Sequence, residues 1–179
     1  LDLTPEQAEV VEEVLAPYNL GRLNPLGLNN TAPALFAHGT EEQRLRFLPP
    51  LVRNEERWCQ MFSEPGAGSD LASLAMRAVR DGDTWVLTGE KRWIGGAESA
   101  DLIAVFARAE DDGEVKLFLV DRTAEGVTLA TIPGKVSLRP MQNAVITLDE
   151  VRVPESARLQ GVDSWRDVAR ILRTMRSDV

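Results

Sequence analysis

Cysteine and histidine are almost missing from this chain, with Cys59 and His38 the only ones among 179 residues. A single thiol excludes an internal disulfide and a thiolate metal cluster. A single imidazole excludes a multi-histidine metal site and any triad whose base histidine is not His38 itself. Lysine is scarce as well, limited to Lys91, Lys116 and Lys135, and Tyr18 is the only tyrosine. Apolar runs stay short, such as Leu102–Ala107, so none can span a bilayer as a helix. Acidic side chains outnumber basic ones 28 to 20, a formal net charge of −8, which argues against a nucleic-acid partner. Asp2, Glu6 and Glu9 interrupt anything resembling a signal peptide. The chain therefore reads as a cytoplasmic protein or a piece of one, in which a carboxylate or a cofactor must do any chemistry.

What is present is a globular composition, 44% apolar and 27% charged, able to bury a core. Thr4-Pro5-Glu6 reads as a helix start. Ala8, Val11, Val14 and Leu15 follow at helical spacing until Pro17 stops the run. Residues 19–29 read as a loop, and a second short helix is expected over residues 31–37, closed by Gly39. Thr40-Glu41-Glu42-Gln43 has the form of a capping box and opens a helix expected to bury Leu45, Phe47, Leu48 and Leu51. From Trp58 onward short apolar runs alternate with turns. Strands are expected over 58–62, 84–88, 91–94, 102–107, 115–121, 127–131 and 144–153, with hairpin turns at Asp81-Gly82 and Asp112-Gly113. Seven strands without intervening helices suggest an antiparallel sandwich or barrel. The chain returns to helix at Asp163-Ser164, with Trp165, Val168, Ile171, Leu172 and Met175 on an apolar side and Arg166, Arg170 and Arg173 on a basic stripe. Such a helix must dock back on the sheet or be covered by something else.

Two stretches could carry chemistry. In 62–70 (Phe-Ser-Glu-Pro-Gly-Ala-Gly-Ser-Asp), Pro65-Gly66 forces a turn. Gly68 permits a positive φ that would align backbone amides for oxygens of a carbonyl, phosphate or carboxylate, with Ser63 and Ser69 beside them; an ordinary turn between strands is the competing reading. In 91–97 (Lys-Arg-Trp-Ile-Gly-Gly-Ala), Trp93 before two glycines could place a flat ring beside open backbone, suited to a planar ligand. It could equally be a core tryptophan, as expected for Trp58, Trp85 and Trp165. His38, at a helix end, reads as structural, and Cys59, in an apolar strand, as an inert thiol. Glu64 and Asp70 are candidate bases, although Glu64 precedes a proline and Asp70 better suits hydrogen-bonding its own loop amides.

Taken together, residues 58–70 (Trp-Cys-Gln-Met-Phe-Ser-Glu-Pro-Gly-Ala-Gly-Ser-Asp) strongly resemble the first signature of the acyl-CoA dehydrogenases. Residues 37–43 with Phe47-Leu48-Pro49 resemble the approach to it, residues 83–94 the second flavin segment, and Glu150-Val151-Arg152-Val153-Pro154 the strand leaving the β-domain. The resemblance runs from about Asn24 to Arg173. Residues 91–95 and 134–139 look most like the branch of glutaryl-CoA dehydrogenases and short-chain acyl-CoA oxidases.

The resemblance implies an α+β chain: an antiparallel β-barrel, the family's middle domain, flanked by N-terminal helices and the start of a C-terminal helix. The implied boundaries are residues 1–57, 58–160 and 161–179. It implies FAD, with the strand Gln60, Met61, Phe62 and Ser63 along the flavin pyrimidine, Gly68 and Ser69 meeting the pyrophosphate or the acyl-CoA tail, and Trp93 and Ile94 beside flavin N5. Gly95 stands where many members carry Thr or Ser. Ser69 is the implied substrate contact, and Arg22 a candidate neighbour of the acyl pocket. The implied reaction is α,β-dehydrogenation of an acyl-CoA thioester, with electron-transfer flavoprotein or oxygen as acceptor, in a homo- or hetero-oligomer. The family's base, a Glu of the C-terminal helical domain, has no matching segment here. No catalytic residue and no metal ligand is assigned, and the isolated chain is expected to be inactive. The competing expectations are a catalytically silent flavin- or acyl-CoA-binding scaffold subunit, and a β-domain that has lost FAD.

Overall fold

The structure is a computed structural model that describes residues 4–18 and 26–177; Arg22, Asn24 and most of the expected 19–29 loop lie outside the described residues. Helix α1 (Pro5–Leu15) starts as expected, with Thr4 and Gln7 exchanging hydrogen bonds of 2.9 and 3.3 Å. A single π-helical turn, Leu26–Thr31, stands where the loop was expected to continue and leads into α2 (Ala32–His38). Gly39 closes α2, and no larger residue fits, because a Cβ there would lie 2.5 Å from the Leu35 carbonyl oxygen.

Helix α3 (Glu41–Val52) begins with the capping box read from the sequence. Gln43 does more than cap. Its Nε2 also donates to the carbonyls of Ser156 and Arg158, at 2.8 and 2.7 Å, so one side chain ties the helix start to the segment leaving the sheet. Leu51 is fully buried and Phe47 and Leu48 half-buried, but Leu45 points outward, 67% exposed, contrary to expectation. Gln43, Phe47 and Leu51 recur every four residues along the inward face, and Leu45, two positions from Gln43 and from Phe47, falls on the other side of the helix.

Seven strands follow: β1 (Trp58–Met61), β2 (Arg77–Asp81), β3 (Thr84–Gly95), β4 (Leu102–Ala109), β5 (Val115–Asp121), β6 (Val127–Thr131) and β7 (Asn143–Pro154). The number matches the sequence reading, but its content differs. The expected strands 84–88 and 91–94 are one strand, and β2 was missed. In β2 only Ala78 is buried, so it carries no alternation to detect. It exists because the hairpin turn at Gly82 pairs it with β3.

The expectation of an antiparallel barrel is corrected to a mixed sheet that forms a half-barrel. Strand β4 pairs antiparallel with β5 on one edge; on the other it pairs in parallel with β1 and then β2. The β2–β3 hairpin causes this. It carries the chain back to the start of β1, where Asp101 and Leu102 donate to the Arg57 carbonyl, so β4 sets off alongside β1. Strands β3, β7 and β6 continue the sheet antiparallel.

Strand β4 is buried on both faces, which is why Leu102–Ala107 reads as an unbroken apolar run. Ile103, Val105 and Ala107 face the half-barrel interior with Met61, Trp85, Phe118 and Ile146. Leu102, Ala104 and Phe106 face the helical layer with Leu35, Leu51, Trp58 and Val168. Helix α4 (Trp165–Ser177) docks back on that second layer through Val168 and Ile171, leaving Arg166, Arg170 and Arg173 exposed. Trp58 and Trp85 are core residues as expected, and Trp165 packs at the margin of the second layer.

Because β1 and β2 share an edge of β4, residues 62–76 must leave the sheet and return to it. Glu64 holds this excursion at both limbs. Its carboxylate accepts from Lys91 Nζ at 2.8 Å and from the amides of Ala75 and Met76 at 2.6 and 3.0 Å. The Lys91 side chain is 0% and the Glu64 side chain 6% exposed. Burial opposes the Glu64 charge, but the Lys91 hydrogen bond, the two amides and the Lys91 charge outweigh it and hold the carboxyl below its ordinary value. Burial lowers Lys91 to about 8 against the support of Glu64.

Urea denaturation reads the consequences for stability. Gln43→Ala should destabilise the chain by ~2–3 kcal/mol, leaving two carbonyls without their donor. Gln43→Glu should cost more, since it keeps the cap acceptor but turns an anion toward those carbonyls. Lys91→Met should cost ~3–5 kcal/mol by stranding a buried carboxylate, and Lys91→Met with Glu64→Gln should cost less than the sum of the two single changes. The Glu64 contribution is present above the unfolded-state value of 4.5 and is lost as pH falls through the lower folded one. Stability should therefore decline more steeply on acidification in the wild type than in Glu64→Gln.

Candidate functional site

The two stretches singled out in the sequence meet in space. After β1, the Ser63 carbonyl accepts from the Arg92 amide at 2.8 Å, and the Phe62 carbonyl accepts from Lys91 Nζ at 3.1 Å. Lys91 and Arg92 thus hold the start of the 62–70 loop against β3.

Strand β3 carries a bulge at this point. Lys91 pairs with Ile146 and Ile94 with Ala144, so Arg92 and Trp93 together oppose Val145 alone. Trp93 takes a left-handed conformation, φ 64°, uncommon for a bulky residue. Its indole stands 53% exposed, with the Arg92 guanidinium 5.8 Å from the ring centroid. Of the two sequence readings of Trp93, the flat ring presented at the surface is the one observed.

The other expected site residues divide into exposed and buried groups. Gln60 is half-buried, and its amide donates to the Thr31 hydroxyl at 3.0 Å. Phe62 stacks on Phe106, centroids 4.4 Å apart, and so anchors the strand end to the helical layer. Ser63 is half-buried and Ser69 exposed. Ile94 is buried in the half-barrel core, so only its backbone can meet a ligand. Gly95 lies half-buried, and a Cβ there would sit 3.7 Å from Asn143 Nδ2 and Met141 Sδ.

Within the loop, Glu64 and Ala67 exchange backbone hydrogen bonds of 2.7 and 3.3 Å, which makes the turn expected at Pro65-Gly66. Gly68 does not take the positive φ expected of it. Both glycines of the loop are open: a Cβ at Gly66 or Gly68 would meet nothing within 4 Å, and both residues are exposed. Asp70 was expected to bind the loop amides, but its side chain caps nothing in the turn that follows; Glu64 binds amides in its place. Glu64 is accordingly no free base. Neither Glu64 nor Lys91 was read as a partner of the other from the sequence. A signal existed for Lys91, since its even spacing from Trp85 and Leu87 on β3 places it on their inward face.

His38 and Cys59 are structural as expected. His38 Nδ1 lies 2.9 Å from the Gly161 carbonyl oxygen, joining α2 to the segment before α4. The Cys59 thiol is buried, and that burial raises its pKa to about 12. A cleft of about 500 Å3 lies between α3 and the segment after β7, lined by Thr40, Gln43, Arg46, Phe47, Glu155 and Gln160; none of the expected site residues lines it. Among the described residues there is no cluster of His, Cys, Asp and Glu that could hold a metal ion, and no helix is long and apolar enough to cross a membrane.

Known proteins share this fold. The family model for the acyl-CoA dehydrogenase middle domain matches residues 59–151. Acyl-CoA dehydrogenase FadE34 of Mycobacterium tuberculosis is 42% identical over 140 residues, which is 75% of this chain and 19% of that protein. Glutaryl-CoA dehydrogenase from Mycobacterium smegmatis, solved in complex with FADH2, superposes with a TM-score of 0.77 at 33% identity, covering 83% of this chain and 38% of that one. The ChsE4-ChsE5 complex from Mycobacterium tuberculosis gives a TM-score of 0.81 at 29% identity, over 94% of this chain and 44% of that one. The chain thus spans about a fifth of its curated relative FadE34 and less than half of these solved chains. With the family model covering the sheet from Cys59 to Val151, the chain belongs to the acyl-CoA dehydrogenase family through its middle domain.

Proposed function

We propose that this chain supplies the flavin- and acyl-CoA-facing surface of an FAD-dependent enzyme that dehydrogenates an acyl-CoA thioester between its α and β carbons. The observation that carries the reading is the junction of the 62–64 strand end with the 91–93 bulge. It ties Ser63 to the residue before the half-exposed Trp93, at the start of a loop whose backbone is open at Gly66 and Gly68 and whose two hydroxyls, Ser63 and Ser69, hydrogen-bond to no protein group among the described residues. A flat apolar ring next to open polar backbone matches the two chemistries of an isoalloxazine, an aromatic face and a hydrogen-bonding pyrimidine edge.

In this reading Gln60, Phe62 and Ser63 hold the pyrimidine side. The Ser63 hydroxyl and nearby amides favour negative charge there. Gly68 and Ser69, on open backbone, take the pyrophosphate or the acyl-CoA tail. Trp93 covers the ring, and the backbone of Ile94 and Gly95 lies toward N5. When bound, FAD supplies the acceptor for the hydride that leaves the β-carbon. The α-proton needs a carboxylate base close to a polarised thioester. Glu64 is committed to Lys91 and two amides, and Glu98 accepts from the Thr131 hydroxyl. Those engagements support a base that comes from outside this chain, from a C-terminal helical domain or a partner subunit. A complex such as ChsE4-ChsE5 among the neighbours is in keeping with a partner. Residues 1–57 and 161–179 are then parts of the helical domains that flank the sheet, and electron-transfer flavoprotein or oxygen is the final acceptor, in the cytoplasm. The same engaged carboxylates also favour a second reading, a catalytically silent flavin- or acyl-CoA-binding scaffold.

Titrating the 179-residue chain with FAD and recording the visible spectrum tests the reading. Resolved, shifted flavin bands are expected. Trp93→Leu should weaken binding about tenfold, the loss of one aromatic contact of ~1.4 kcal/mol. Adding a short acyl-CoA should leave the bands unbleached, and bleaching should appear once the remaining helical domain of a family member is added. Absence of flavin binding would overturn the flavin reading. Bleaching by the chain alone would overturn the external base, and no bleaching with the added domain would favour the scaffold.

A further inference from the structure

Trp93 is not the only bulky residue near the site held in left-handed backbone. Leu138, in the segment between β6 and β7, has φ 49°. Two residues grip both carbonyls. Asn143 Nδ2 donates to the Trp93 carbonyl at 3.1 Å, and Lys135 Nζ donates to the Leu138 carbonyl at 3.0 Å. The grips are joined, because Lys135 Nζ also donates to Asn143 Oδ1 at 2.6 Å. With a further bond to the Met141 carbonyl, Lys135 uses all three of its donors.

The backbone around this pair closes the same unit. Asn143 opens β7 directly across from Gly95. The Ile132 amide donates to the Asn143 carbonyl at 2.8 Å, and the Gly96 amide to the Gln142 carbonyl at 3.3 Å. Met141 Sδ comes as near to the Gly95 Cβ position as Asn143 Nδ2 does, 3.7 Å each. A strained conformation persists only where its surroundings over-determine it, and here the surroundings of both strained residues pass through one ammonium and one amide.

We propose that Lys135 and Asn143 form a clamp that fixes the Trp93 bulge, and with it the indole, to the conformation of the 132–142 segment. Asn143 is a positioning residue: it acts on the ring through the Trp93 carbonyl. The amide is needed for both of its ends, an oxygen for the Lys135 ammonium and an N–H for the carbonyl. A carboxylate would serve Lys135 but set an oxygen against the Trp93 carbonyl, and a small apolar residue would serve neither. Segment 132–142, with Val136, Leu138 and Met141 exposed, thereby gains a lever on the ring. The functional meaning of that lever rests on the flavin reading above; the clamp itself does not.

The test uses the four indole N–H signals of the 15N-labelled 179-residue chain, one per tryptophan, with Trp93 assigned by its loss in Trp93→Phe. Asn143→Asp and Asn143→Ala should shift the Trp93 signal and raise its broadening by a soluble gadolinium chelate, while the signals of Trp58, Trp85 and Trp165 stay in place. Lys135→Met should shift the Trp93 signal in the same direction, and adding Leu138→Gly, which tolerates the left-handed conformation, should bring it back toward the wild-type position. An unmoved Trp93 signal in the Asn143 variants would overturn the clamp, as would equal movement of all four signals or a Lys135→Met shift that Leu138→Gly does not relieve. Should the Asn143 variants fail to fold, the Lys135→Met and Leu138→Gly pair decides alone. A parallel FAD titration should show about fivefold weaker binding for Asn143→Asp. Wild-type chain that binds no FAD would defeat the flavin reading while the indole signals still judge the clamp.

Discussion

One buried ion pair holds the candidate site together. Residues 62–76 leave the sheet between β1 and β2 with no ladder of their own, and a loop of that length carries a large conformational entropy. Glu64 spends its carboxylate on Lys91 of β3 and on the amides of Ala75 and Met76, closing the loop at both limbs. Lys91 in turn reaches the Phe62 carbonyl. Everything placed near the site hangs on this pair: the turn at Pro65-Gly66, the open backbone at Gly68, and the contact between Ser63 and the Trp93 bulge. A buried pair of this kind is weak support for overall stability but strong support for a single conformation, since either charge left alone is costly.

The shortage of lysine acquires a meaning in this light. All three lysines are fasteners that join chain segments through oxygen acceptors. Lys91 joins β3 to the 62–64 limb, Lys116 joins β5 to Asp112 and to the Asp163 carbonyl before α4, and Lys135 gathers the 132–143 segment. A compact ammonium with three donors can serve oxygens arriving from different directions, where a planar guanidinium needs them arranged in its fork. Arginine supplies most of the outward positive charge, including the exposed face of α4. Two of the three lysines, Lys91 and Lys116, are buried, and Lys135 is half-buried.

Much of the scaffold was legible because it rests on local chemistry. The capping box at Thr40, the hairpin turn at Gly82, the doubly buried run of β4 and the docking face of α4 each follow from residue type and spacing. What escaped rests on partners far apart in sequence. Strand β2 has an exposed, polar composition and is a strand only because β3 lies beside it. The expected antiparallel order holds for β2–β3, β3–β7, β6–β7 and β4–β5 and departs only where β4 runs parallel to β1 and β2, because nothing in β1 or β4 records which way its neighbour runs. Gly68 was read for a conformation it does not adopt, its actual property being the empty space around it. Asp70 was assigned the task that Glu64 performs, since only the folded loop brings Ala75 and Met76 back to position 64.

The bulge at Trp93 joins these levels. A regular strand alternates, so Lys91 and Ile94, three positions apart, would point to opposite faces. Both are nevertheless buried, Lys91 to reach Glu64 and Ile94 to fill the half-barrel. One extra residue resolves the conflict: Arg92 and Trp93 occupy the space opposite Val145 and both face outward. The exposed indole is thus a consequence of two interior demands on the same strand. The left-handed backbone at Trp93 is what meeting both of them costs. A strand with a regular alternation would have buried Lys91 and Trp93 together, or buried Ile94 and exposed both Lys91 and Trp93; it could not have buried Lys91 and Ile94 and shown the tryptophan. That is why the ring sits on a bulge rather than on a flat strand face, and why its position needs a side chain from β7 to hold it.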